Sequence, residues 1–279
     1  MSSVSQVVSH GKVIEGYPED GWLKGYFYSN DVDVVRGDRS TTGSWKNLDY
    51  LRLKDKLLHL LNPGSSQKIL DAGCADGAMM IYCGLQGATV YGQDFDPKHV
   101  DEANRHLQKY GIQGEARCGD ARQLQFPDNF FDGAISGDFM EHVVEDTKVA
   151  VLNEIKRCLK PGAPLVIKTP NLNYLKLSLF YKRCQAVARL QNPMNYRIPH
   201  TPGTDDPQHI GLTTGRKLIQ SLLNAGFLNY ECHYAPLRRF GNSALVEWLS
   251  VDVWGIRDWL CEDIFIRTWK PIIASHFPD

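Results

Sequence analysis

Two glycines stand four residues apart, Gly73 and Gly77, in the segment DAGCADGA between a strand-like run and a helical one. Glycine in such a turn lets a ligand come close to the backbone. A dinucleotide-binding turn would need a glycine where Ala75 stands, and a phosphate loop would need a following Gly-Lys-Ser/Thr. The spacing therefore predicts a nucleotide-like ligand that lacks a pyrophosphate.

A second group of chemically capable residues lies in the segment SGDFMEHVVED. If a helix begins near Gly137, then Asp138, Glu141 and His142 occupy positions i, i+3 and i+4 on one helical face. Carboxylates and an imidazole that point in one direction are potential metal ligands. On a second interpretation no metal is bound, Glu141 packs or caps, and His142 is a structural residue or a general base.

The elements that must position these residues alternate regularly along the middle of the chain. The strand-like runs there are KIL, TVYGQD, EARCGD, FDGAISG and PLVIKTPN. Helical segments lie between most of them, and the clearest has Asp96 as its N-cap, Pro97 at its first position and Gly111 at its end. Strands separated by helices predict an α/β fold in which a parallel sheet is covered on both faces.

The flanking segments predict how the chain is divided. Residues 1–45 are interpreted as an arm or lid whose aromatic residues could line an acceptor pocket. A helical stripe from Trp45 to Leu61 leads into a domain that spans residues 46–240, with an insertion at about 172–211. Residues 241–279 hold four of the six tryptophans and are predicted to form an amphipathic helix on the domain or on a partner subunit, which makes them a candidate homo-oligomer interface.

The composition excludes several classes of protein. The formal net charge is −1 and no dense Lys/Arg block occurs, so nucleic acid is a disfavoured partner. The seven cysteines contain no C-x-x-C pair, which argues against a disulfide framework and against a thiolate zinc site, and predicts a reducing compartment. No secretory leader and no apolar run of membrane-spanning length is visible, so we expect a cytoplasmic protein.

Four segments in order carry a family resemblance. ILDAGCADG, VYGQDFDP, GDARQLQFPDNFFDGAIS and CLKPGAPLVIKTPN resemble the motifs of class I S-adenosylmethionine-dependent methyltransferases, over roughly residues 67 to 230. The resemblance implies a Rossmann-like, mostly parallel sheet of seven strands with helices on both faces, an N-terminal lid and an insertion after the fifth strand. It also implies S-adenosyl-L-methionine as cofactor.

The residues assigned to the cofactor are Asp71, Gly73, Gly77, Asp94, Phe95, Asp120, Ala121 and Ser136. Asp94 ends the second strand, where a carboxylate can accept hydrogen bonds from two neighbouring ribose hydroxyls. Asp120 ends the third strand and could accept from the adenine amino group, while the Ala121 amide donates to the ring. Phe95 could cover one face of the adenine. Taken singly, each aspartate could equally be a cap or a solvated turn residue.

The Asp-x-x-Glu-His stretch is similar to a Glu-x-x-Glu-His motif found in small-RNA 2′-O-methyltransferases and in ubiquinone-biosynthesis O-methyltransferases. In those families a divalent metal orients the acceptor hydroxyls, and in the RNA enzymes a later histidine, which maps onto His209 here, completes the set. The resemblance implies a metal site of Asp138, Glu141, His142 and His209, with a shorter acidic arm at Asp138. Such a set suits Mn²⁺, Fe²⁺ or Zn²⁺ at least as well as Mg²⁺.

These observations predict an enzyme that methylates a hydroxyl group of a small molecule, with or without a divalent metal. If no metal is bound, His142 or His209 is the candidate general base, and His200 is a weaker candidate. Three alternatives stay open: a metal-free N- or C-methyltransferase of a small molecule, an RNA 2′-O-methyltransferase, and a binding module that has lost its chemistry.

Overall fold

Seven strands form one sheet in the described part of the chain, which in this computed structural model comprises residues 54–198, 209–234, 245, 248–249 and 252–272. The strands are β1 (Lys68–Ala72), β2 (Thr89–Asp94), β3 (Gly114–Cys118), β4 (Gly133–Gly137), β5 (Pro164–Pro170), β6 (Tyr230–Tyr234) and β7 (Asp263–Trp269). Their order across the sheet is β3-β2-β1-β4-β5-β7-β6. β1 to β5 pair in parallel, and β7 runs antiparallel between β5 and β6. The predicted seven-stranded, mostly parallel α/β sheet is therefore confirmed.

The helices cover both faces of this sheet. They are α1 (residues 54–61), α2 (Ala78–Leu85), α3 (Pro97–Tyr110), α4 (Lys148–Cys158), α5 (Leu172–Ala188), α6 (Gly215–Asn224) and the short α7 (Arg257–Leu260). One core layer packs α1, α2 and α3 against the sheet and includes Leu58 and Tyr82. The other layer packs α4 and α6 around Phe131 and Phe227. Central strands that lie between two apolar layers are typical of parallel sheets.

Helix α3 shows how local sequence sets an element boundary. The Asp96 side chain accepts a hydrogen bond from the Lys98 amide at 2.9 Å, and Pro97 supplies a preset φ at the first turn. Gly111 ends the helix with φ at 65°, the left-handed conformation that glycine adopts without steric cost. The predicted cap, first residue and stop of this helix are all confirmed.

Several predicted segments lie partly or wholly outside the described residues. Residues 54–61 of the predicted helix up to Leu61 are helical, whereas Trp45 and the arm or lid at residues 1–45 fall outside. The region predicted as an insertion after β5 begins with α5, and its residues 199–208, which include His200, fall outside the described ranges. None of the helices within the described ranges is both long and apolar enough to cross a membrane.

The predicted C-terminal helix is wrong for residues 263–269, which form β7 instead. Ile264, Phe265 and Ile266 are essentially without solvent exposure, because β7 lies between two other strands and is covered on both faces. Charges at Asp263 and Arg267 interrupt the apolar run and hide its strand character in the sequence. The β-branched and aromatic residues between them favour the pleated conformation once neighbouring strands are present.

Replacing Phe265 with alanine should therefore destabilise the whole domain. We expect Phe265→Ala to lower the free energy of unfolding in urea by about 3–5 kcal/mol, because it leaves a cavity in the core. Trp254, whose side chain is 80% exposed, offers a matched aromatic truncation, and Trp254→Ala should change stability by about 0.5 kcal/mol or less. Equal, small effects of the two variants would contradict the central position of β7.

Candidate active site

The carboxyl ends of β1 and β4 form the edge at which the candidate functional residues collect. β1 and β4 are neighbours in the sheet, and the connections that follow them lead to opposite sides. Ligands of open α/β sheets bind in the crevice at such a reversal of strand order. The loops that begin after β1, β2, β3 and β4 meet at this edge.

The two glycines of the first loop have packing reasons of their own. Gly73 has φ at 76°, and a Cβ on it would come within 2.3 Å of the Phe139 ring. Gly77 has φ at 83°, and a Cβ there would lie 3.0 Å from the Ala103 Cβ on α3. Both positions thus require glycine for backbone conformation and close packing, independently of any ligand.

Asp94 fixes the first two loops relative to one another. One oxygen of its carboxylate accepts from the Ala75 amide at 3.0 Å, and the other accepts from the Asp96 amide, also at 3.0 Å. Because a carboxylate has about four acceptor positions, each oxygen can still accept one more hydrogen bond. The geometry is compatible with two adjacent hydroxyl groups as further donors.

A pocket of about 370 Å³ opens beside Asp94. It is lined by Gln93, Asp94, Phe95, Gly119, Asp120, Ala121, Arg122, Phe139, His142, Val143, Val144, Thr147 and Val151. Four of the residues predicted to bind a nucleoside are brought together here: Asp94, Phe95, Asp120 and Ala121. The other four, Asp71, Gly73, Gly77 and Ser136, are not among the lining residues.

Asp120 is already paired within the protein. The Arg122 amide donates to its Oδ1 at 2.8 Å, and the Arg122 guanidinium donates to its Oδ2. Hydrogen bonds from Arg122 lower the pKa of the Asp120 carboxyl, so this group is an anion at neutral pH. It can still accept another hydrogen bond from a ligand in the pocket.

Three of the four predicted metal ligands converge next to this pocket. One potential ligand atom from each of Glu141, His142 and His209 lies within 4.8 Å of the other two. The rings of His142 and His209 have centroids 4.8 Å apart. Because His142 also lines the pocket, the cluster and the pocket adjoin one another.

Glu141 is the buried member of the cluster. Its side chain accepts a hydrogen bond from the Thr169 hydroxyl at 3.0 Å, and the residue is only 1% exposed. Burial, reinforced by the nearby charge of Asp138, raises the pKa of the Glu141 carboxyl to about 8. A cation bound beside Glu141 would favour the ionised form of this carboxyl.

The helical face predicted for residues 138–142 does not form. Asp138 has φ at 56°, in the left-handed region, and it is followed by a short 3-10 turn at Met140–His142. Its carboxylate is directed to the ammonium of Lys168 on β5, and it is not part of the converging group. The prediction that Asp138 shares a face with Glu141 and His142 is wrong, because the spacing rule holds only for an α-helix.

Comparisons with known proteins agree with this geometry. Residues 70–167 match the family described as a methyltransferase domain. A ubiquinone biosynthesis O-methyltransferase of Dinoroseobacter shibae is 32% identical over 112 residues, which are 40% of this chain and 44% of that protein. This chain contains a class I S-adenosylmethionine-dependent methyltransferase domain.

Two further similarities bear on this methyltransferase domain. The 24-methylenesterol C-methyltransferase 2 of Arabidopsis thaliana is 35% identical over 122 residues, which are 42% of this chain and 33% of that protein. The crystal structure of YcgJ from Bacillus subtilis has the same fold, with a TM-score of 0.55 and 16% identity over 80% of this chain and 99% of that one. The matches span less than half the length of both named methyltransferases.

Gln93 is a site residue that sequence reasoning missed. It is 1% exposed, and its side chain donates to the carbonyl of Asp120 at 2.9 Å and accepts from the Gln125 amide at 2.9 Å. These bonds hold the loop after β3 against the end of β2. A polar residue within a buried strand, next to Asp94, was the signal that could have revealed it.

Two buried lysines were also missed. Lys148 has no solvent exposure, and its ammonium donates to Glu145 and to the carbonyl of Gly211, each at 2.6 Å. The Gly211 amide donates to the carbonyl of Glu141 at 2.7 Å, so the segment that carries His209 is fixed both to the 3-10 turn and to the start of α4. The second is Lys168, which contacts Asp138, and the contacts of Lys148 with Gly211 and of Lys168 with Asp138 join residues far apart in sequence.

Asp71 and Ser136 lie beneath the pocket, in the sheet. The Ser136 hydroxyl is fully buried and has no hydrogen-bond partner among the described residues. Asp71 is 4% exposed, and burial raises the pKa of its carboxyl to about 7. A bound ligand with a positive charge nearby would favour the ionised form of Asp71.

The raised pKa of Asp71 predicts how stability depends on pH. The folded carboxyl binds its proton more tightly than the unfolded carboxyl, whose pKa is near 3.8. The free energy of unfolding therefore falls as the pH rises from the unfolded pKa to the folded pKa of about 7, and the loss is complete above that pH. Asp71→Asn removes this loss. We expect the variant to exceed the native protein in stability at about pH 8 by a few kcal/mol, with the difference vanishing toward about pH 4.

Urea denaturation of the unliganded protein across this pH range measures the effect. Asp101→Asn, at an exposed position on α3, is the control and should show no such pH-dependent difference. A constant offset between Asp71→Asn and the native protein at every pH would contradict the assigned cause.

Proposed function

We propose that this protein transfers the methyl group of S-adenosylmethionine to a hydroxyl group of a small molecule. The observation that carries the proposal is the convergence of Glu141, His142 and His209 next to the pocket that is lined by Asp94 and Asp120. Methyl transfer from a sulfonium is an in-line displacement, so the protein must align the acceptor with the methyl carbon and take up the acceptor proton. A nucleoside pocket adjoined by two imidazoles meets both needs.

In this mechanism the Asp94 carboxylate accepts hydrogen bonds from the two ribose hydroxyls. Phe95, which is 71% exposed, covers the adenine. Asp120 accepts from the adenine amino group while it retains Arg122 as its partner. Asp71, in the sheet below, supplies negative charge toward the positively charged half of the cofactor. These contacts hold the cofactor with its methyl group toward the cluster.

The imidazoles of His142 and His209 are the proposed proton acceptors. Glu141 is less suited to this role, because its hydrogen bond from Thr169 and its burial fix it against β5. If the site takes a divalent ion, Glu141, His142 and His209 would hold it, since one carboxylate and two imidazoles suit a transition metal. Such an ion supplies a Lewis acid that lowers the pKa of the acceptor hydroxyl.

A carbon acceptor is the second candidate. The similarity to the 24-methylenesterol C-methyltransferase 2 of Arabidopsis thaliana, at 35% identity over 122 residues, favours it. Methylation at carbon would use the same cofactor pocket, with the histidines removing a proton from the carbon skeleton after transfer. The near-neutral charge of the chain, −1, gives no basic surface signature for an RNA acceptor.

Removal of the Asp94 charge should weaken cofactor binding. We expect Asp94→Asn to raise the Kd for S-adenosylhomocysteine by about 10- to 100-fold, because hydrogen bonds to a charged acceptor contribute about 1.5–3 kcal/mol. Isothermal titration calorimetry gives this Kd, and Asp101→Asn removes the same charge at an exposed position and should leave it unchanged. An unaltered Kd for Asp94→Asn would refute the assignment of the pocket.

Loss of either histidine should slow turnover strongly without loss of cofactor binding. We expect His142→Gln and His209→Gln to lower the rate by about 10²–10⁴-fold, the usual contribution of a general base. Transfer of tritium from labelled S-adenosylmethionine to a panel of catechols, phenols, amines and sterols measures it. His59→Gln is the control, because His59 lies on α1 with a side chain 54% exposed.

The position of the label in the product separates the candidate functions. Label on oxygen supports the proposal, and label on carbon supports the sterol-like alternative. Full activity of both histidine variants on an oxygen acceptor would show that the cluster has no part in catalysis.

A further inference from the structure

Lys168 places a permanent positive charge beside the Glu141, His142 and His209 cluster. This lysine is only 5% exposed, and its ammonium contacts the carboxylates of Asp138 and Asp263, the latter at 3.1 Å. Burial by itself lowers the pKa of Lys168, but the charges of Asp138, Asp263 and Glu141 raise it above its ordinary value. Lys168 is thus a buried cation shared by acidic groups from the loop after β4 and from β7.

The contact with Lys168 turns Asp138 away from the cluster. Asp138 holds a left-handed φ of 56°, which costs a residue with a Cβ about 1 kcal/mol or more, and its amide donates to the Lys168 carbonyl at 3.0 Å. The Lys168 carbonyl therefore holds the backbone of Asp138 against β5, and the Lys168 ammonium holds its carboxylate. The neighbouring residue, Thr169, meanwhile donates to Glu141 and keeps that carboxylate with the two histidines.

We propose that Lys168 determines which metal ion the cluster accepts. By neutralising Asp138, it leaves one carboxylate and two imidazoles, a set that favours Mn²⁺, Fe²⁺, Co²⁺ or Zn²⁺ over Mg²⁺. With the Asp138 carboxylate freed from the Lys168 ammonium, the set would gain a second carboxylate and become richer in oxygen, which Mg²⁺ prefers. The inference rests on the proposed function only in placing an ion at this cluster.

Asp263 stabilises the buried charge of Lys168. It is 2% exposed at the start of β7, and its carboxylate lies 3.1 Å from the Lys168 ammonium. A buried ammonium without such partners would cost several kcal/mol. The positive charge of Lys168 therefore depends on β7, the strand that lies between β5 and β6.

The test measures metal affinity, with no dependence on methyl transfer. The full chain, freed of metal by a chelator, is titrated calorimetrically with MnCl₂ and separately with MgCl₂, and electron paramagnetic resonance counts bound Mn²⁺. We expect the native protein to bind Mn²⁺ at least about 100-fold more tightly than Mg²⁺, since the ligand set has only one carboxylate. In Lys168→Met this ratio should fall at least about tenfold, because the released Asp138 adds an oxygen ligand.

Matched variants separate ligand release from a general change of charge. Lys160→Met removes a lysine whose side chain is 46% exposed and should leave the ratio of Mn²⁺ to Mg²⁺ affinity unchanged. Lys168→Arg keeps the positive charge and should also leave this ratio unchanged. Adding Asp138→Asn to Lys168→Met should restore the native ratio. Asp138→Asn alone should leave the Mn²⁺ affinity within about twofold of the native value. This variant tests the inference if Lys168→Met does not fold.

Three results would overturn the inference. These are loss of Mn²⁺ binding in Asp138→Asn, an unchanged ratio in folded Lys168→Met, and no binding of Mn²⁺ by the native protein. None of them touches the proposed function, which fails instead if labelled S-adenosylmethionine transfers no methyl group to any acceptor.

Discussion

The reversal of strand order between β1 and β4 is the constraint on which the rest of the structure depends. It brings the carboxyl ends of two adjacent strands together while the following chain departs to opposite faces, and this opens a crevice. The loop with Gly73, the end of β2 with Asp94 and the turn with His142 all reach that crevice. Because strands β1 to β5 are parallel, their last residues lie at one edge of the sheet although they are far apart in sequence.

The same edge concentrates ionisable groups that are removed from water. Asp71, Glu141, Lys148 and Lys168 are each at most 5% exposed. Apolar side chains of similar size would make a more stable core, since burying charge costs free energy even when the charge is paired. Their position around the pocket and the cluster indicates that this part of the sheet is built for chemistry at the expense of stability.

Local patterns in the sequence predicted much of the fold and part of the site. β2 and α3 could be placed from alternation, an N-cap, a proline and a glycine stop, because these signals act within a few residues. Asp94 ends β2 as predicted, whereas Asp120 does not end the third strand but lies two residues beyond β3. Both line one pocket together with Phe95 and Ala121.

What the sequence could not reveal depends on contacts between distant residues. The strand β7 has no clear period, and only its place between β5 and β6 buries it. The left-handed Asp138 follows from Lys168, 30 residues later. Gln93 and Lys148 act by binding backbone carbonyls 27 and 63 residues away, a role that no side-chain motif encodes.

The insertion of β7 between two earlier strands also governs the order in which the domain can assemble. Among the described strands β6 pairs only with β7, so within this sheet neither β6 nor the adjacent edge of β5 has its hydrogen-bonding neighbour until residues 263–269 have been synthesised. During translation this leaves two open sheet edges, which are templates for association with other chains. Asp263 arrives with the same strand, and Lys168 therefore gains its second carboxylate only when the sheet closes.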